Sequence, residues 1–302
     1  MRRLAASILI IFSGAALLSC SNAGRGTQEA GKVYKVGFMI CNSRQETLDR
    51  FTPLTAYLSK KLGVKMVAVP IDTIDFQKQA GDLDFMHANS LLYIILNRYF
   101  GARALTADIQ GSMGYKSAGA IVTLKDSPIK SIKDLKGKTM VFGPMLAPTG
   151  YMEQYDLMLK GGIDPERDLA FYTIPPGTYK HEALIYGVLY GKYDAGAFPM
   201  LDYEKMIKDG RINPADFRII ATGQPIPYCT FAASQKVDDK LAEKFKEALL
   251  SITKDTTVSI DGEVVKVLKS AWLDGFHPVT DKDYDVVRDM AKRTNMPPYQ
   301  KY

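Results

Sequence analysis

The sequence predicts an α/β fold with mainly parallel sheets, and three observations carry that reading. Short apolar, β-branched runs alternate with stretches of helical apolar spacing from Val33 to Arg293. The composition, 46% hydrophobic and 24% charged, is that of a globular chain, and 302 residues suffice for two domains. No segment beyond Cys20 is long and apolar enough to span a bilayer.

Taken in order, the chain opens on a leader. Arg2 and Arg3 precede an apolar run from Leu4 to Leu18, and Leu17-Leu18-Ser19-Cys20 closes it. A Cys directly after a small residue resembles the bacterial lipoprotein cleavage motif. Residues 1–19 are therefore expected to be a signal peptide, Cys20 the lipidated first mature residue and residues 20–32 a small, polar tether. Val33 to Ile40 follows as a strand. Thr52-Pro53 has the form of a helix start, with Leu54, Tyr57, Leu58 and Leu62 at helical spacing and Gly63 as the stop. Strands are expected at Lys65–Val69 and Leu83–Met86, with a short helix at Ile74–Gln79 between them. The second strand leads through His87-Ala88-Asn89-Ser90 into a helix over Leu91–Phe100. Ala102–Thr106 and Ser117–Leu124 are expected strands, and Ser131–Lys138 a short capped helix.

Thr139 to Tyr151 concentrates the chemistry. It reads as a buried strand, a loop rich in Gly and Pro, and a helix opening near Thr149. A helix opening presents unpaired N–H groups and the positive end of the dipole, and Thr149 can add a hydroxyl, so an anion can be held there. The predicted helix runs to Lys160, with Met152, Tyr155, Met158 and Leu159 on one side. Strands at Leu169–Ile174, Asp194–Phe198, Phe217–Ala221 and Cys229–Ala233 alternate with helices at Tyr179–Tyr190 and Leu201–Lys208. Helices at Asp239–Ile252, Gly262–Leu273 and Asp281–Arg293 complete the chain.

Other chemistries lack their residues. The formal charge of +6 is spread along the sequence, with no basic block of the kind nucleic acid requires. Gly137-Lys138-Thr139 lacks the preceding glycine of a phosphate-binding loop and runs helix to strand. No G-x-G-x-x-G follows a strand, no G-x-S-x-G is present, and His181-Glu182 has no second His one turn on. His87, His181 and His277 do not form a metal-ligand spacing. No cofactor, metal or catalysis is expected. Cys41 and Cys229, the cysteines left once Cys20 is lipidated, can pair or lie buried as thiols.

An ordered set of stretches resembles one family. It comprises Thr52-Pro53-Leu54 through Leu62-Gly63, Gly114-Tyr115, Ile132 to Thr139, Thr149-Gly150-Tyr151, His181, Gly191 to Ala197, and Ile226-Pro227. Together they look like the phosphate/phosphite/phosphonate-binding branch of the periplasmic solute-binding proteins that feed ABC transporters. The resemblance implies a two-lobed fold of the type II class with two crossovers. Residues 33–118 with 222–302 would form one lobe and 119–221 the other, with ligand in the cleft between them. It implies ligand contacts from Tyr115, Thr149, Gly150, Tyr151 and His181, and places His87, Asn89, Ser90, Cys41 and Cys229 at cleft-lining positions. The family's loop commonly reads Ser-Thr-Ser-Gly where this chain has Ala147-Pro148-Thr149-Gly150. Leu201 and Cys229 stand where aminophosphonate binders carry carboxylates, which argues against a ligand bearing an amine.

The expectation is an extracytoplasmic lipoprotein, periplasmic or at the cell surface, that captures phosphate, phosphite, phosphonate or arsenate for an ABC permease. The alternative is the ligand-binding partner of a membrane histidine kinase, with arsenite held by Cys41 and Cys229.

Overall fold

The computed structural model describes residues 31–176 and 181–301. The expected leader, Cys20 and nearly all of the tether lie outside the described residues. From Lys32 onward the chain is one compact unit.

The first helix corrects the sequence reading and shows why. Helix α1 (Arg44–Leu62) begins well before Thr52: Ser43 caps it by accepting the Glu46 N–H at 3.1 Å, and Gly63 ends it with φ 66°. Pro53 lies inside the helix. A proline there cannot donate to the carbonyl one turn back, that of Asp49. The Ser270 hydroxyl, far along the chain, donates to that carbonyl at 2.9 Å.

Around α1, strands β1 (Val33–Met39), β2 (Lys65–Ile71) and β3 (Phe85–Ala88) pair in parallel, with α2 (Phe76–Gln79) on the second crossover. Helix α3 (Ser90–Phe100) leads to β4 (Arg103–Ile109), and β5 (Lys116–Ser117) carries the chain into a second sheet. There β6 (Gly119–Leu124) and β7 (Thr139–Val141) precede α4 (Glu153–Lys160) and α5 (Pro165–Asp168). Next come β8 (Phe171–Thr173), α6 (Glu182–Leu189), β9 (Ala195–Pro199), α7 (Met200–Lys208) and β10 (Phe217–Thr222). The return passes through β11 (Ile226–Pro227) to β12 (Thr230–Ala233) and α8 (Asp239–Leu250). Then follow the hairpin β13 (Thr257–Ile260) and β14 (Glu263–Lys266), α9 (Val267–Ala271), β15 (Gly275–Pro278) and α10 (Asp285–Arg293). The expected helix over Gly262–Leu273 is therefore a hairpin followed by a short helix. Asp261 and Gly262 make its two-residue turn, both at positive φ.

The strand orders are β15-β4-β12-β3-β1-β2 and β10-β6-β9-β7-β8. The sheets are mixed. Parallel pairing holds for β1 with β2 and β3, and for β7 with β8 and β9, whereas β4, β6, β10, β12 and β15 pair antiparallel.

The two crossing segments are tied to each other. β5 pairs with β11, and the Gly223 N–H donates to the Gly119 carbonyl at 2.8 Å. Against these glycines lies the buried carboxyl of Glu153, which accepts the Gly119 N–H. Burial pushes its pKa up to about 8; the Gly119 N–H works against that shift, Asp156 adds to it and Lys160 opposes it. Helix α10 ties the end of the chain to the second sheet's helices: Arg293 donates to both oxygens of buried Asp156, at 2.6 and 3.1 Å.

Candidate anion-binding site

The loop after β7 ends in a single π-turn, Pro148–Met152, before α4 begins. The N–H groups of Gly150, Tyr151 and Met152 all converge on the Ala147 carbonyl, at 3.3, 3.0 and 3.4 Å. One carbonyl thus engages all three amides within the turn. Thr149 is buried at the start of this turn. Tyr151 is buried beneath the loop, its ring 5.2 Å from Phe142 and 5.6 Å from Tyr155, and its hydroxyl is hydrogen-bonded to Tyr172.

His181 faces this loop from the residue preceding α6. Its Nδ1 meets the Asp202 carboxylate of α7 at 2.8 Å, while Nε2 is buried with no hydrogen-bond partner among the described residues. A Cβ built on Gly150 or Gly143 would lie 3.0 or 3.1 Å from that Nε2. Both glycines are thus needed for the imidazole to approach the loop, and Gly143 donates to the Gly150 carbonyl at 2.8 Å, holding the loop closed on itself. With Asp202 accepting at Nδ1, a neutral ring presents Nε2 as an acceptor and a protonated ring presents it as a donor.

Asn89 reaches the same loop from the other sheet. It caps α3 by accepting the Leu92 N–H at 2.8 Å and donates to the Leu146 carbonyl at 3.0 Å. Ser90, next to it, is buried with an unpartnered hydroxyl. His181, Thr149, Gly150 and Asn89 therefore come together around the segment from Gly143 to Gly150.

The remaining predicted residues sit elsewhere. His87 is buried away from the loop, among the rings of Phe38, Phe51 and Phe231, with Nε2 2.7 Å from Asp108. Tyr115 stacks on His277 with ring centroids 3.8 Å apart, and its carbonyl accepts the Tyr228 N–H at 2.9 Å beside the crossover ribbon. Cys41 and Cys229 are free thiols, so no disulfide joins them. Burial raises both pKa values, and Asp202 acts electrostatically on Cys41 and on Tyr228, whose own pKa is also raised by burial.

Asp202, Gly143 and Asp108 were not legible as site residues. Asp202 looks like ordinary first-turn chemistry in α7. Asp108 carried a signal, the lone carboxylate of a largely apolar strand, that calls for a buried partner.

Two mixed sheets joined by paired crossings, with polar groups from both meeting at one loop, define a two-lobed periplasmic binding protein. The family model for the periplasmic substrate-binding protein of phosphonate ABC transporters matches residues 36–284, and the chain belongs to that family. Its members are periplasmic substrate-binding proteins and work outside the cytoplasm. No described helix is long and apolar enough to cross a membrane. Among curated proteins, the tetrathionate sensor histidine kinase TtrS of Salmonella typhimurium is 28% identical over 78% of this chain, which spans only 41% of that kinase. The phosphate-import protein PhnD of Mycolicibacterium smegmatis is 25% identical over 81% of this chain and 80% of its own length. Among solved structures, PhnD1 of Prochlorococcus marinus in complex with methylphosphonate superposes with a TM-score of 0.70 at 19% identity, covering 87% of this chain and 98% of that one. XAC2383 of Xanthomonas citri bound to ATP gives 0.71 at 18%, covering 87% and 97%.

Proposed function

We propose that this chain captures a phosphate-like oxyanion (phosphate, phosphite, a phosphonate or arsenate) between its lobes and delivers it to an ABC permease, anchored by a lipid on Cys20. The observation that carries this reading is the His181 Nε2, buried, without a partner among the described residues, and held over the Gly143–Gly150 loop by Asp202. A tetrahedral anion can satisfy it in two ways. The imidazolium form donates to an anionic oxygen, with Asp202 stabilising its charge, or an O–H of a partly protonated anion donates to the neutral ring. The Thr149 hydroxyl adds a donor, and Asn89 bridges the lobes at the same loop. This reading takes residues 33–118 with 222–302 as one lobe and 119–221 as the other, close to the change of sheets, although β10 of the second sheet runs on through Thr222. Tyr115 acts at the hinge through its stack on His277.

Calorimetry against phosphate, phosphite, methylphosphonate, sulfate and arsenate tests the reading. Charge-assisted hydrogen bonds are worth roughly 1.5–3 kcal/mol. His181→Ala and Thr149→Val are therefore each expected to weaken binding of the preferred anion by about ten-fold or more. Unchanged affinity in both would place the ligand elsewhere.

Anchoring is tested separately. Cys20→Ser is expected to move the protein from the membrane to the soluble fraction, and retention at the membrane would overturn the lipid anchor. The similarity to TtrS favours a second reading, in which ligand occupancy is passed to a membrane kinase and the free thiols Cys41 and Cys229 take arsenite. A permease and ATPase encoded beside this gene argue for transport, and a kinase argues for sensing.

A further inference from the structure

Three neighbouring strands of the first sheet place a histidine, a carboxylate and a thiol on one spot. His87 lies on β3, Asp108 on β4, and Cys229 immediately before β12, the strand between them. One donor atom from each lies within 4.8 Å of the others. All are buried: Asp108 is 1% exposed, His87 4% and Cys229 8%.

Packing does not account for this cluster. His87 Nε2 and Asp108 Oδ2 satisfy each other at 2.7 Å, but His87 Nδ1 and Asp108 Oδ1 are both buried with no partner among the described residues. Orphaned buried polar atoms are rare and costly, and a bound ion is one occupant that such a cluster can take. The aromatic wall of Phe38, Phe51 and Phe231 around His87 offers no hydrogen bond to supply it.

We propose that His87, Asp108 and Cys229 form a binding site for a borderline-soft divalent metal ion of the Zn²⁺ class. Imidazole nitrogen, thiolate sulfur and carboxylate oxygen are that ion's donor set, and three protein ligands leave a fourth position open. Metal–ligand bonds of about 2.0–2.3 Å bring donors to within about 4 Å of one another, a small side-chain adjustment from the spacing here. The sheet supplies rigidity: the Asp108 N–H donates to the Cys229 carbonyl at 2.8 Å, and Phe231 pairs with His87 across the ladder. Ligands so far apart in sequence show no motif, so only the strand order brings them together. The proposal is independent of the oxyanion reading, since no anion is needed to test it.

The test is titration of the purified chain with Zn²⁺ by calorimetry and with Co²⁺ by absorption. One equivalent of Zn²⁺ is expected to bind, and Co²⁺ is expected to give the intense near-ultraviolet thiolate charge-transfer band. Cys229→Ser should remove that band and weaken Zn²⁺ by about 100-fold or more, and His87→Gln should weaken it comparably. Circular dichroism of each variant guards against misfolding, and the loss of the cobalt band in Cys229→Ser separates this thiol from Cys20 and Cys41. No charge-transfer band in the folded wild type, or a band that survives Cys229→Ser, overturns the site.

Discussion

Stability should fall as pH rises from about 4.5 to about 8, and Glu153→Gln should abolish most of that fall. The Glu153 carboxyl is 1% exposed, its Oε1 has no partner, and its pKa is pushed from 4.5 up to about 8 chiefly by burial. Below pH 4.5 it is protonated in both folded and unfolded chains, so its contribution is fully present. Between the two values the unfolded chain releases the proton and the folded chain keeps it. The folded state then binds more protons, so stability declines with pH until the folded pKa is passed. The loss amounts to roughly 2–5 kcal/mol across that window. Glutamine keeps the shape and the acceptor for the Gly119 N–H but carries no proton to lose. Urea unfolding at pH 5 and pH 8.5 should show a marked drop for the wild type and a much smaller one for the variant. Equal drops in both would remove Glu153 as the cause.

Gly119→Ala should destabilise the fold by about 1–3 kcal/mol and weaken anion binding along with it. A Cβ at residue 119 would sit 2.5 Å from the Thr149 carbonyl and closer still to the Gln154 amide. Neither neighbour can easily yield. Gln154 donates to that same Thr149 carbonyl at 2.6 Å and to the Ala120 and Phe198 carbonyls at 3.3 Å. Relief therefore requires the Thr149 turn to shift, and that turn carries the hydroxyl assigned to the anion and seats Gly150 under His181. Thermal melting and anion calorimetry on one preparation check both halves. Unchanged melting with unchanged affinity would show that the crossing absorbs the methyl group without strain.

Gly119 and Glu153 illustrate what single-sequence patterning misses. The helix after Thr149 has apolar residues at helical spacing, and Met152 and Met158 are buried as that spacing predicts. Its buried set also holds Glu153, Gln154 and Asp156, because this helix packs against the crossing strands and α10, whose amides, carbonyls and Arg293 offer polar partners. Periodicity records which positions are apolar and is blind to a polar side chain whose partner lies far along the chain. The start of α1 is a different case. Ser43 and Glu46 have the spacing of a capping box, yet Pro53 argued for a start at Thr52. The signal that lost was local, and the one that misled was overruled by the Ser270 hydroxyl.

The sequence by itself determined the alternation of strands and helices, the loop that leads to Thr149, and the presence of His181 at the opening of a helix. These depend on residue type and on contacts a few positions apart, which composition and spacing encode directly. Only the tertiary structure decided that His181 is oriented by Asp202 over two glycines, that Tyr115 is taken up by His277, and that Cys41 and Cys229 remain unbridged. It also decided that His87 faces Asp108 and Cys229 in the core instead of the cleft. Each of those outcomes is a pairing across the sheets, fixed by strand order and register, and no stretch of sequence records which distant residue it will face.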